Sequence, residues 1–190
     1  MKEMFIYLVI LFVISVIIDV ALSFYRKIIC NKLMNLLLND KIVEFDELLS
    51  KKSTKFFVPY YNSLVLKMNK AVKIGDVDLM NETMNEFSNI KLKDSQCLFV
   101  YSKAFSYYLS MGDNKRLNIC FKKINDCKDC PTKQYIKMVY NTIVEKKWDY
   151  LQLALAMLEK VSGEDKENLK VLIGQMFQNK GDKKEAEKYL

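Results

Sequence analysis

The chain contains no histidine, which removes the commonest general base and the commonest metal ligand together. Five glycines and two prolines punctuate its 190 residues. A fold rich in β-turns would demand more of both. Five cysteines are an odd number, so no disulfide framework can pair them all. A phosphate-binding glycine loop and a nucleophile elbow are missing as well. No run of five like charges occurs, and the net charge of +7 is carried by lysines scattered among acids. That pattern reads as a solvated helical surface. With no RNA- or DNA-binding motif in the chain, a nucleic-acid partner is not expected. No enzyme activity and no cofactor are expected either.

What is present is apolar and helix-forming. Hydrophobic residues make up 51% of the chain, enough for a sizeable core. Long stretches are dominated by Lys, Leu, Met, Glu and Asn, which predicts an all-α fold. The strongest single signal is "MFIYLVILFVISVIIDVALSFY", Met4 to Tyr25, with Asp19 as its one charge. As a helix it spans about 33 Å, the thickness of a bilayer's hydrocarbon core. Arg26 and Lys27 end it, and Tyr25 beside them suits the interface. Residues 1–27 are therefore expected to be a single-pass transmembrane anchor with its flanks, and residues 28–190 a helical domain. Arg26, Lys27 and Lys32 outnumber Lys2, so the bulk of the chain is expected to be cytoplasmic. The alternatives are a signal peptide cleaved after Ala21-Leu22-Ser23, with the rest secreted, and a buried core helix. Asp19 would lie about 7 Å past the midpoint of the span, where an ionised carboxylate is costly. It marks either the end of the span or a polar contact with a partner helix.

The rest of the chain repeats itself. Gly-Asp recurs at Gly75-Asp76, Gly112-Asp113 and Gly181-Asp182, and Asp40 and Lys146 fit as further turn positions. The steps between turns are then 35, 37, 34 and 35 residues. Apolar residues with helical spacing precede each turn, such as Tyr101, Phe105, Tyr108 and Leu109 before Gly112. After the turns they fall on one helix face: Met80, Met84 and Phe87; Leu117, Phe121 and Ile124; Leu151, Leu155 and Leu158. Glycine after a helix supplies the left-handed residue, and the aspartate can cap the next helix. Asp182 with Glu185 has capping-box spacing. Breakers are expected at Ser53 to Pro59, Lys91 to Ser95, Asn125 to Thr132 and Val161 to Asn168.

Helix pairs at this period resemble tetratricopeptide repeats. The match is best in the tail, where Ile173-Gly174, Phe177, Gly181 and Ala186 stand at the family's Leu-Gly, aromatic, turn-glycine and small-residue positions. In the middle copies Met68, Phe105 and Val139 occupy the glycine position, which should alter how the helices cross. The resemblance implies a TPR-like α-solenoid of helical hairpins over residues 28–190. It further implies a groove, lined by the first helix of each pair, that binds a peptide or protein partner. Tyr101, Lys103, Tyr108, Tyr135, Lys137 and Tyr140 then become candidates for its wall. Lysine among tyrosines favours an acidic or carboxylate-ended ligand, and self-association is a further option.

The runner-up is chemical. Cys127 and Cys130 have metal-knuckle spacing and Cys120 lies close in sequence, so a small thiol-redox or zinc-binding protein is the alternative. No second C-x-x-C exists, and the pair falls between helices instead of after a strand. The expected function is thus a membrane-anchored adaptor or scaffold module.

Overall fold

A computed structural model describes residues 2–190, with side chains from residue 6 onward. Its described residues form helices and no strands. The chain divides into two compact units, one ending at Lys91 and the other starting at Leu92.

The first unit begins with α1, Lys2–Leu38, an unbroken 37-residue helix. At 1.5 Å per residue it is about 55 Å long. Its character changes partway. From residue 6 to residue 28 only Leu22 is partly covered. The stretch Ile6–Leu38 contains a window long and apolar enough to cross a membrane, with none of that window buried. Then Ile29, Leu33 and Leu37 are buried at four-residue spacing. One stripe of α1 has become part of a core, while the helix runs without interruption through residue 27.

That core is completed by α2 (Ile42–Ser50), α3 (Lys52–Phe57) and α4 (Tyr60–Ile74), and α5 (Val77–Ser88) follows. Phe45, Val58 and Leu66 pack with the three α1 residues. The expected breaker from Ser53 to Pro59 is instead largely helix α3. Thr54 and Val58, four residues apart, are both buried, so tertiary packing holds a turn of helix that local propensity would not.

The second unit contains α6 (Asp94–Ser110), α7 (Asn114–Asn125), α8 (Pro131–Ile143), α9 (Leu151–Leu158), α10 (Gly163–Lys180) and α11 (Lys183–Ala186). Helix α10 starts inside the breaker expected from Val161 to Asn168. Met138, Leu151, Leu172, Ile173, Met176 and Phe177 form much of its core. Gly174 makes room for a close approach. A Cβ there would lie 2.6 Å from Leu190 Cγ, so the missing side chain is what lets Leu190 seat on α10.

All five turn positions adopt left-handed backbone: Asp40, Gly75, Gly112, Lys146 and Gly181. At four of them the next N–H reaches the carbonyl five residues back. Examples are Asp76 to Ala71 at 3.0 Å and Asp182 to Phe177 at 2.9 Å. This is the hydrogen bond that closes a Schellman turn and satisfies an orphan helix carbonyl. At Lys146 the turn is wider, and Lys147 N–H reaches back to the Asn141 carbonyl at 3.0 Å. The Asn179 side-chain amide donates to the Thr142 and Lys147 carbonyls at 2.8 and 3.1 Å, fastening this turn to α10.

The aspartate caps form as the sequence suggests. Asp76, Asp113 and Asp182 accept from the backbone N–H groups of Leu79, Arg116 and Glu185. The reciprocal half of the box at Asp182 is not made, because Glu185 takes Lys188 and the Asp182 N–H is already used in the turn. At Asp113 the Arg116 N–H, then the Arg116 guanidinium, hold the carboxyl below the usual carboxylate range. Replacing Asp113 with Ala is expected to cost about 1 kcal/mol at neutral pH in a denaturant titration. A carboxyl whose folded pKa is depressed stabilises above its unfolded pKa and loses that contribution as pH falls through the folded value. The gap between wild type and variant should therefore close below about pH 4.

Candidate ligand groove

Helix α8 carries the most exposed cluster of candidate wall residues, and its first turn is built from the loop before it. Cys130 is extended and Pro131 occupies the first helical position, where its ring presets the helical φ and no N–H is lost. Lys133 points back into that loop. Its Nζ donates to the Asn125 carbonyl at 2.8 Å, to the Cys127 carbonyl, and to Asp129 Oδ1 at 3.0 Å. Only 6% of Lys133 is exposed, so its charge serves the loose carbonyls at the end of α7. Asp129 is held below its ordinary range by Lys133 and then by Lys137. The Lys128 N–H donates to Asp94 at the start of α6, which ties down the other side of the loop.

Two clefts flank the start of α8, and Pro131 lines both. One, of about 510 Å³, is polar and walled by Asp129, Lys133, Gln134, Lys137 and Tyr150. The other, of about 400 Å³, is more apolar and walled by Tyr135, Met157, Val161, Asp165 and Leu169. Burial, followed by the Asp165 carboxylate, pushes the Tyr135 hydroxyl pKa up, so it stays a protonated hydrogen-bond donor.

The six candidate wall residues separate into two groups. Tyr135 and Lys137 line these clefts. Tyr140, one turn on, is partly buried. It stacks flat on Phe121 with ring centroids 3.7 Å apart and donates to Asn118 Oδ1 at 2.8 Å. Tyr101 and Tyr108 on α6 are buried, with 5% and 2% exposed, so neither ring is offered to open surface. Burial raises both hydroxyl pKa values and lowers that of the half-buried Lys103 beside them in sequence. Asp19 is exposed on α1.

Cys97 and Cys127 are neighbours, but the described cysteines do not gather into a metal-holding group of three. All five are free thiols, and Cys120 and Cys127 are buried. Among the described residues no set of three or more Cys, Asp or Glu side chains could hold a metal ion. Cys120, Cys127 and Cys130 are therefore not a ligand set, despite their spacing. The Cys127 thiol donates to the Lys123 carbonyl at 3.3 Å. Burial and then the neighbouring Cys97 thiol push its pKa up to about 12, and burial does the same to Cys120. Neither supplies a thiolate near neutral pH. Trp148, at the turn before α9, is 44% exposed.

The roles of Lys133, Tyr150 and Asp165 have no local signature, since each depends on a partner that spacing does not reveal. The one usable hint is Pro131, which fixes a helix start and so places position 133 next to the preceding helix end. Comparison with protein-family models, curated proteins and solved structures finds no match for this chain.

Proposed function

We propose that this chain is a membrane-anchored adaptor in which α1 crosses the bilayer and the groove at α8 takes up a segment of a partner protein. The observation that carries the reading is the pairing of an apolar cleft at Tyr135 with a basic, polar one at Lys137 on the same helix start. An aromatic anchor beside a cationic rim suits a peptide with an apolar side chain next to an acidic one or a terminal carboxylate. The even spacing of the five left-handed turns supports a finer reading, in which the helix pairs follow a TPR-like solenoid plan. The excess of basic residues after the apolar stretch supports a cytoplasmic location for the bulk of the chain.

Peptide binding to the full-length protein in nanodiscs, followed by fluorescence anisotropy, tests the groove. Acidic peptides carrying a Leu or aromatic residue should bind, and basic counterparts should not. Tyr135→Ala should weaken binding about tenfold or more, the scale of an interface hot spot. Lys137→Glu should weaken acidic peptides and spare neutral ones. Binding that ignores both substitutions would remove the groove from the reading.

A further inference from the structure

The most exposed large apolar side chain among the described residues is not on α1. It is Phe56, 81% exposed, on the short helix α3. Its position gives the exposure a meaning. The Phe56 ring meets Phe57 edge-on at 5.1 Å, and Phe57 meets Tyr25 of α1 edge-on at 4.8 Å. Tyr25 is the last residue of the apolar stretch, directly before Arg26 and Lys27. Helix α3 thus lies where α1 would leave the hydrocarbon. Thr54 and Val58 fasten it inward. Lys52, Lys55 and Phe56 remain on its exposed surface, with Lys51 just before it. Lys51, Lys52 and Lys55 make no ion pair among the described residues. On the neighbouring α2, Glu44 pairs with Lys41 and Asp46 with Lys70, which leaves Glu47 as the one acid of α2 without an ion pair among the described residues, against three such lysines.

We infer that α3 is a second, interfacial membrane contact, in which Phe56 enters the boundary between headgroups and acyl chains while Lys51, Lys52 and Lys55 bind anionic phospholipid headgroups. The occupant of this face is the bilayer that α1 crosses. Continuity with Tyr25, Arg26 and Lys27 places the face at that surface, and three lysines around one phenylalanine complement negatively charged lipid. The apolar face of an interfacial basic helix sits about 5–10 Å into such a boundary, and anionic lipid strengthens its hold. The inference rests on the anchored reading of α1.

The test uses the full chain in liposomes, with Trp148→Phe removing the native indole and Phe56→Trp supplying the single reporter. Phe56 is almost fully exposed, so the ring exchange leaves the core untouched. Lipids brominated near the headgroup end of the acyl chain should quench the reporter indole more than lipids brominated at the chain terminus. Adding phosphatidylserine to phosphatidylcholine should deepen the quenching, and changing Lys51, Lys52 and Lys55 together to Gln should abolish that gain. Flotation and carbonate extraction of the same vesicles report on the anchor separately. Protein that stays with the vesicles while the reporter remains unquenched and open to iodide overturns the inference and leaves the anchor standing. A reporter shielded from iodide yet untouched by brominated lipid means that a second copy covers the face, which also overturns it. Protein released from the vesicles overturns the anchor itself, and this inference with it.

Discussion

A chain starting at Arg26 is expected to leave the membrane fraction and remain folded, whereas one starting at Asn39 is expected to lose the fold of the unit that ends at Lys91. The difference lies in the thirteen residues that follow the apolar run from Met4 to Tyr25. Ile29, Leu33 and Leu37 are 8%, 0% and 3% exposed, and they share a core with Phe45, Val58 and Leu66. Removing a buried aliphatic side chain costs about 2–5 kcal/mol. Three together approach or exceed the roughly 5–15 kcal/mol that holds a typical domain. Circular dichroism and limited proteolysis of the two fragments check this, and the cleavage sites in the shorter one should cluster before Lys91. Full-length protein should resist carbonate extraction and keep its N-terminus. A soluble product starting at Phe24 would establish cleavage of a signal peptide instead.

The second large effect is expected at Lys133. Lys133→Met keeps most of the length of the side chain and removes the cation. The Cys127 carbonyl then loses its donor in a buried place, the Asn125 carbonyl loses its own in a partly buried one, and Asp129 loses its partner. Asp129 is 91% exposed and rehydrates readily, so the carbonyls dominate. Leaving buried acceptors unsatisfied should cost about 2–4 kcal/mol in all. For a unit of this size that is a fall in melting temperature of roughly 10–25 °C. Lys137→Met, one helical turn away on the cleft wall, is the control and should shift it by only a degree or two. Equal, small shifts for both variants would mean that the loop is held by Asp94 and the Cys127 packing alone.

Periodic features of the fold were legible because their cause is local. The turns at Asp40, Gly75, Gly112, Lys146 and Gly181 follow from where helix-period apolar faces stop, and all five are left-handed, two of them without glycine. The apolar faces behaved likewise: Met80, Phe87, Leu117, Ile124 and Leu151 are buried. Features made by distant partners were not legible. Helix α3 exists because Thr54 and Val58 find a core, and the run Ser53 to Pro59 read alone is a breaker. Cys127 looks like one half of a metal knuckle until packing turns it inward. Of the candidate wall residues, Tyr101 and Tyr135 are alike in sequence context. One is buried and the other lines a cleft, a difference that packing between helices decides.

The unbroken course of α1 has a mechanical consequence. A helix without proline, glycine or a hydrogen-bond gap transmits twist along its axis, and α1 has none of these between its exposed half and its core half. Successive residues are set about 100° apart, so the azimuth at which Phe12 or Ile17 faces lipid also fixes the azimuth of Leu33 and Leu37. With α1 in a bilayer, any contact that rotates the spanning half, such as pairing through Asp19, turns the first helical unit by the same angle. Inserting one alanine between Tyr25 and Arg26 would therefore re-aim that unit by about a quarter turn relative to the exposed half, keeping the Ile29, Leu33 and Leu37 packing and losing the Tyr25–Phe57 ring contact.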